Sequence, residues 1–268
     1  MTPTQIPIVD SHIHLFPATH LKTLSWHNAN NPLGTQHSVN EYRHATTQSN
    51  TTTPLLRGFI FLETDRLSSI TDSTPPNHGW QHALDEVSLL TRIALGTPIP
   101  GEGHVPQDKS LCLGIVPWAP VPGGPDVLSA YMEQPNLRLV DDVHSHPEFL
   151  EWKDLVTRMA RANPRTYMKL SGSFSELLPL EAESEPDFGA IVELVQPWTD
   201  VVFDAFGADR VMFGSDWPVC NVGGGGNDVS WGRWRRVVEE ILERRGLSEE
   251  QKRDVWGSVA LHVYGIKI

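Results

Sequence analysis

The chain has 268 residues and a mass of 29.9 kDa, a length that suits one large domain or two small ones. Its content of 39% hydrophobic and 20% charged residues, with nine Trp and nine Phe, excludes a disordered chain. The 21 basic and 33 acidic side chains give a formal net charge of −12, which argues against a nucleic-acid-binding or anionic-membrane surface and favours a small-molecule substrate.

The N-terminal residues 1–9 lack the basic and apolar regions of a secretory signal, and no stretch approaches the 18 apolar residues of a membrane span. The chain has two cysteines, Cys112 and Cys220, which is too few for a disulfide framework and too far apart for a CxxC metal site. Both are therefore expected to be reduced thiols. Together these features predict a cytoplasmic protein without a membrane partner.

Short apolar segments alternate with longer segments of helical period along the whole chain, which is typical of a parallel α/β sheet. No break in composition divides the sequence, so a single domain is predicted over residues 1–268. Most of the apolar segments lack the alternation of apolar and polar residues that is typical of a sheet with one solvent-exposed face. The predicted strands are residues 6–14, 56–62, 111–118, 137–143, 166–170 and 210–214.

Helices are predicted between these strands, where apolar residues recur on one face. The clearest are residues 80–95, 148–163 and 230–245, and a shorter helix is predicted at 126–133. A last helix begins at a capping box formed by Ser248 and Gln251.

Two segments are predicted to be loops. Residues 44–54 are polar and without period, which indicates an exposed loop or a partly disordered insert. The four glycines at 223–226 follow a predicted strand, but no lysine follows them to complete a phosphate-binding P-loop, so a flexible loop is expected.

Two histidines, His12 and His14, lie at the end of the first predicted strand. Residues i and i+2 of a strand point to the same face, so both imidazoles face one site. Neutral imidazole is the commonest metal ligand, and a rigid strand can hold two of them at about 2.0–2.1 Å from a Zn²⁺ ion. The spacing therefore predicts a divalent metal, with Zn²⁺ the expected ion. The alternative is a pair of ordinary surface or core histidines.

Asp216 follows the last predicted strand, 210–214, and lies just before a turn that contains Pro218. Acidic side chains at the carboxyl end of a barrel strand are often catalytic, although Asp also commonly caps turns. Asp216 and His12 lie at opposite ends of the sequence. They become neighbours only if the first and last strands pair in a closed barrel.

Four separated motifs occur in the order VDSHIHLF at 9–16, MKLSG at 168–172, FGSDWPVCN at 213–221 and WGSVALHVYGI at 256–266. Together they resemble the second amidohydrolase family, and most of all its fungal sugar-lactonase branch. The resemblance implies an α/β fold of the (β/α)₈ TIM-barrel type, with its site at the carboxyl ends of the strands. It also implies hydrolysis of a cyclic ester, often with a divalent metal.

By this resemblance His12 and His14 are metal ligands, and Asp216 is a ligand and the general base. The family also places a histidine shortly before a proline on a middle strand. That place falls on Val143 here, so either His144 or His146 has to substitute, and His144 is assigned.

Two further residues beside strand ends, Lys169 and Trp217, are candidates to bind sugar hydroxyls or to stack on a sugar ring. The equally open alternatives are a salt-bridged lysine and a core tryptophan.

The chain departs from the family pattern in its middle, where the family has two further β/α units. Here only the helix predicted at 126–133 separates the strands predicted at 111–118 and 137–143. The barrel is therefore expected to be abridged by about two central units, and six strands could form a smaller barrel or an open sheet. A smaller departure is the sequence GSVA at 257–260, where the family usually has an asparagine.

The favoured function is hydrolysis of a sugar lactone by attack of water, assisted by a metal and by Asp216. One alternative is a decarboxylase of small aromatic acids, which needs an arginine for the carboxylate, and no arginine adjoins a site motif. Another is a catalytically inactive, truncated relative that acts as a binding protein. A homo-oligomer is possible in each case.

Overall fold

The computed structural model describes residues 7–28, 30–47, 56–68, 79, 81–118 and 146–267. The helix predicted at 126–133, the strand predicted at 137–143 and His144 lie outside the described residues. Within the described part of the chain, no helix combines the length and the apolar character needed to cross a membrane.

The described strands are all parallel to their partners. They are β1 (Ile8–Ile13), β2 (Leu56–Leu62), β3 (Cys112–Val116), β4 (Met168–Leu170) and β5 (Val211–Phe213). Pairing gives one sheet in the order β1–β2–β3 and a second of β4 and β5. Each strand lies within the segment that the sequence predicts, so the prediction of a parallel α/β sheet is confirmed for these five.

The two sheets meet at the first and last strands. Ile13 forms a parallel bridge with Trp217, and the backbone N–H of His14 donates to the Trp217 carbonyl at 2.8 Å. The Asp216 N–H donates to the His12 carbonyl at 2.9 Å. The strands therefore follow one another in the order β3–β2–β1–β5–β4, with the two ends of the sequence side by side.

The described α-helices include those predicted at 80–95, 148–163 and 230–245, each confirmed to within one residue at both ends. They are α1 (Val39–Thr47), α2 (Gln81–Leu95), α3 (Pro147–Ala162), α4 (Phe188–Phe206), α5 (Ser230–Arg244), α6 (Glu249–Arg253) and α7 (Val259–Val263), with a π-helical turn at Asp254–Ser258. The predicted capping box is confirmed, since Ser248 Oγ accepts from Gln251 N at 3.3 Å and Gln251 Oε1 accepts from Ser248 N at 2.9 Å.

The side chains of the strands alternate between two apolar clusters. Phe59, Phe61 and Phe213 belong to the larger cluster, which the long helices cover. The opposite face of the strands, represented by Ile60 and Met212, belongs to a smaller cluster. This face packs against α7 and the residues that follow it: Val259, Ala260, Leu261, Val263, Tyr264 and Ile266. The C-terminal segment therefore covers the inner face of the sheet.

The prediction of a loop at residues 44–54 is wrong for its first four residues, which form the end of α1. Tyr42 and Ala45 are buried on one face of this helix. The hydroxyl groups of Thr46 and Thr47 donate to carbonyls four residues earlier, at 3.0 Å and 2.6 Å. Burial of one face thus outweighs the low helix propensity of threonine. Residues 48–54 lie outside the described residues.

Two further differences from expectation concern α4 and the glycine run. The sequence predicts no helix over α4, because Pro197 in its middle interrupts the helical pattern. The helix begins after Asp187, whose carboxylate caps it by accepting a hydrogen bond from Ala190 N at 3.0 Å. The glycine run is packed rather than flexible at its centre, since Gly224 is buried and a Cβ there would overlap the Phe174 ring at 2.7 Å.

Candidate functional site

Three side chains converge where β1 and β5 end. His12 Nε2 lies 3.4 Å from Asp216 Oδ1, and His14 Nε2 lies 3.2 Å from the same oxygen. The two imidazole rings have their centroids 5.0 Å apart. All three side chains are partly exposed, so a small molecule can reach them. The structure thus brings together the two histidines and the aspartate that the sequence singles out.

This convergence depends on a close approach of two backbones. A Cβ on Gly214 would lie 2.7 Å from His12 Cβ and 3.1 Å from Ser171 Oγ, so only glycine fits without a shift. Two residues later Asp216 has a φ of 58°, in the left-handed region that aspartate tolerates better than most residues. Such strained positions cluster at functional sites because the surrounding structure must hold them in place.

Both imidazoles are oriented through Nδ1, which leaves Nε2 directed at Asp216. His12 Nδ1 lies 2.8 Å from Ser171 Oγ. His14 Nδ1 lies 2.8 Å from the carbonyl oxygen of Glu63, so it donates there. Hydrogen bonds of this kind fix the tautomer and ring plane of metal-ligating histidines.

The environment sets different protonation tendencies for the two histidines. Burial lowers the pKa of His12 to about 3, against the opposing charge of Asp216, so its imidazole is neutral at pH 7. Burial also acts to lower the pKa of His14, but the hydrogen bond and the charge of Asp216 outweigh it and the pKa is raised. One neutral imidazole and one proton-sharing His–Asp pair therefore face the same space.

The donor set fits a divalent metal. The ligand atoms of His12, His14 and Asp216 all lie within 4.8 Å of one another, a spacing that one ion can span. Two imidazole nitrogens and a carboxylate oxygen are ligands that Zn²⁺ accepts, and three protein ligands leave a position for water or substrate.

A fourth residue, Asp10, supports the site and was not found by sequence reasoning. It is fully buried, and its carboxylate accepts from Ser215 N at 2.8 Å, Trp231 Nε1 at 2.8 Å and Tyr42 Oη at 3.0 Å. Burial raises the pKa of Asp10, and these hydrogen bonds oppose the rise. The signal that could have identified Asp10 is an acidic residue inside an apolar strand. A carboxylate buried there needs hydrogen-bond donors around it, so such a residue is expected to organise its surroundings.

The other predicted site residues differ in where they lie. Lys169 is half-buried on β4, and its positive charge acts to lower the pKa of His12. Trp217 is fully buried, and its indole N–H donates to Asn227 Oδ1 at 2.9 Å. The expectation that Trp217 stacks on a sugar ring is therefore wrong, since its ring packs in the core against Tyr42 and His37.

Comparison with known sequences identifies relatives of one kind. The amidohydrolase family model matches residues 133–266, which is half of the chain. The L-rhamnono-γ-lactonase of Scheffersomyces stipitis is 25% identical over 343 positions, covering 97% of this chain and 98% of that one. The L-fucono-1,5-lactonase of Burkholderia ambifaria is 32% identical over 147 residues, covering 53% of this chain and 46% of that one.

Solved structures show a similar fold at low sequence identity. An amidohydrolase from Burkholderia multivorans with bound zinc has a TM-score of 0.55 and 18% identity, covering 97% of this chain and 99% of that one. Amidohydrolase 2 from Bifidobacterium longum subsp. infantis has a TM-score of 0.56 and 15% identity, covering 98% of this chain and 100% of that one. These likenesses support a TIM-barrel-like α/β fold.

Proposed function

The chain belongs to the amidohydrolase 2 family, and from that premise we propose that it is a hydrolase that opens a sugar lactone by adding water to the ring ester. The observation that carries this proposal is the convergence of His12, His14 and Asp216 at the ends of two adjacent strands. The lactonase names of relatives, one of them aligned over nearly the whole chain, support the choice of ester.

Water and a lactone carbonyl react slowly at pH 7, so the site has to activate one of them. Asp216 is the proposed general base: as the water oxygen bonds to the carbonyl carbon, its carboxylate takes the proton. The carbon–oxygen bond of the ring then breaks, and the same proton passes to the ring oxygen, which becomes a hydroxyl. Water is consumed, and a hydroxy acid is the product.

A divalent metal such as Zn²⁺, when bound, supplies Lewis-acid polarisation of the carbonyl oxygen or lowers the pKa of water. His12 and His14 would hold it through Nε2, and their Nδ1 contacts would keep both rings in place. His144 is proposed as a further ligand on the basis of the family pattern alone.

We also propose that the barrel is abridged within one domain over residues 1–268. The alignment with the S. stipitis relative runs over 343 positions, although this chain has 268 residues, so the relative has long stretches with no counterpart here. The difference is about the length of two β/α units, at roughly 31 residues for each unit. A small-molecule substrate remains the proposed partner.

The direct test is hydrolysis of L-rhamnono-1,4-lactone, followed as acid release with a pH indicator. We expect activity in the wild type and a fall in kcat of about 10²- to 10⁴-fold in Asp216→Asn, because the amide cannot take a proton. Asp228→Asn is the matched control, since Asp228 is exposed and pairs only with His44 among the described residues.

Other outcomes point to other functions. Absence of hydrolysis across several aldonolactones, with release of CO₂ from a small aromatic acid, would replace the proposal with a decarboxylase. Absence of both reactions in folded, zinc-loaded protein would favour a binding protein without catalytic activity.

A further inference from the structure

The ammonium of Lys169 differs from the other charged groups near the site in having no described hydrogen-bonding or ionic partner. Lys169 lies in β4 and is in register with Met212 of β5. Met212 precedes Asp216 by four residues. The side chain of Lys169 is half-buried. Among the residues that the structure describes, it takes part in no hydrogen bond and no ion pair. Because no described protein group pairs with it, this partly exposed ammonium can donate a charge-assisted hydrogen bond to an anionic ligand.

An aromatic ring from the C-terminal segment supports this ammonium. Lys169 Nζ lies 5.7 Å from the centroid of the Tyr264 ring, within the range of a cation–π interaction. Tyr264 itself belongs to the small apolar cluster on the inner face of the sheet. Met212, the partner of Lys169 in the strand register, belongs to the same cluster, so Lys169 lies on this inner face.

Lys169 precedes Ser171 by two residues at the end of β4, so their side chains are directed to the same face, and Ser171 Oγ lies 2.8 Å from His12 Nδ1. The charge of Lys169 acts to lower the pKa of His12, and the negative charges of Asp10 and Asp216 act in turn on Lys169. Burial lowers the pKa of Lys169 to about 8, and these two carboxylates oppose the effect. The side chain is thus still mainly protonated at pH 7, but its charge is poorly compensated.

Hydrolysis of a lactone creates a negative charge that the substrate lacks. The carbonyl oxygen becomes an oxyanion when water adds, and the product keeps a carboxylate. The carboxylate of Asp216 repels both charges, and preorganised cations are the usual means of stabilising them. A bound metal would supply one such charge, and the ammonium of Lys169 supplies a second from the chain itself.

On the basis of the proposed function, we propose that Lys169 binds the oxyanion formed at the lactone carbonyl and the carboxylate of the hydroxy-acid product, with Tyr264 as its positioning residue. This role differs from binding a sugar hydroxyl, because it is specific for the charge that the reaction creates. Lys169 stays protonated throughout: the proton of water travels through Asp216 to the ring oxygen, and Lys169 supplies only a charged hydrogen bond.

The first test compares Lys169→Met with Lys169→Arg. Loss of the charge should lower kcat about 100-fold and change KM less than threefold, since the oxyanion is present in the transition state and the tetrahedral intermediate but not in the bound substrate. The kcat of Lys169→Arg should be at least tenfold higher than that of Lys169→Met, because arginine keeps the positive charge. Lys153→Met is the matched control, because Lys153 is exposed on α3. Full activity in Lys169→Met would overturn the proposal.

The second test needs neither a variant nor catalysis. Wild-type protein is acetylated with acetic anhydride, and the modification of each lysine is followed by mass spectrometry with and without L-rhamnonate. We expect the aldonate to slow modification of Lys169 at least fivefold and to leave Lys153 unchanged. Equal modification of Lys169 in both samples would overturn the proposal even if a Lys169 variant failed to fold.

The two tests separate the inference from the proposed function. If the wild type hydrolyses no lactone but L-rhamnonate protects Lys169, the lactonase proposal fails and carboxylate binding stands. If the wild type is active and Lys169 is neither protected nor needed, only the inference fails.

The role of Tyr264 has its own readout. Tyr264→Leu removes the ring and should reduce kcat about two- to fivefold, as expected for one cation–π contact. It should also lower the pH midpoint of Lys169 acetylation, because the ring favours the protonated amine. Tyr264→Phe keeps the ring and should restore both values. An unchanged midpoint in Tyr264→Leu would show that the ring does not position Lys169.

Discussion

Asp10 and Lys169 carry opposite charges beside the same site, and the fold treats them differently. Asp10 has three donors around its carboxylate, and these hydrogen bonds offset part of the cost of its burial. Lys169 has only the face of Tyr264 among the described residues. At the scale of single residues, Asp10 is therefore a structural support, whereas Lys169 keeps a partly buried charge without a described ionic partner, of the kind that binding sites keep at a cost in stability.

This difference gives a prediction on the pH dependence of stability. The pKa of Lys169 falls from 10.5 to about 8 on folding, so between these values the unfolded chain holds a proton that the folded chain has released. Wild-type stability should therefore rise with pH across this window. Below about pH 8, Lys169→Met should be more stable than the wild type by about 1–3 kcal/mol.

The measurement is urea denaturation of both proteins from pH 7 to pH 10. The advantage of Lys169→Met should shrink as the pH rises towards 10. If the difference in free energy of unfolding between the two proteins stays constant with pH, the charge of Lys169 does not destabilise the folded state.

At the scale of elements, the contact between β1 and β5 depends on one glycine. Because a Cβ on Gly214 would meet His12 at 2.7 Å, Gly214→Ala has to separate the strands or displace the imidazole. We expect a loss of about 1–3 kcal/mol in the free energy of unfolding, as for other overpacked sites, and a larger loss of activity. Urea denaturation and the lactone assay measure the two effects.

Gly189→Ala is the control for this variant. Gly189 lies in the first turn of α4, and a Cβ there would meet two side-chain ends, Nη2 of Arg244 at 3.0 Å and Oδ1 of the capping residue Asp187 at 3.1 Å, rather than backbone or Cβ atoms. Because alanine favours helix, this variant should be as stable as the wild type or slightly more so. A Gly214→Ala variant that behaves like it would disprove the close approach.

At the scale of the whole molecule, a metal bound by both ends of the sequence should stabilise the fold. An ion that binds only the folded state adds about 2.7 kcal/mol at a hundred times its Kd. For a chain of this size that corresponds to a rise in Tm of roughly 5 °C or more. Thermal unfolding of metal-stripped protein with and without Zn²⁺ should show this rise.

The zinc-dependent rise should disappear in His14→Ala, which removes one proposed ligand. His44→Ala serves as the control, because His44 is exposed and pairs with Asp228 at the surface. A rise of equal size in both variants would place the zinc somewhere other than at the ends of β1 and β5.

The sequence by itself determined the local features of this protein. The HxH spacing of His12 and His14, the apolar strands, most of the long helices and the Ser248 capping box follow from periods of two or 3.6 residues and from short-range hydrogen bonds. Where a pattern was interrupted, as by Pro197 in α4, or masked by polar residues, as in α1, sequence reasoning failed.

Only the tertiary structure decided which distant residues meet. It placed Asp216 beside His12 and His14, gave Asp10 its three donors, buried Trp217 and set Lys169 against Tyr264. None of these contacts has a local period, because each depends on how strands from opposite ends of the chain pair and on which side chains then share a face. The sequence thus supplied the chemical groups, and the pairing of β1 with β5 assembled them into a site.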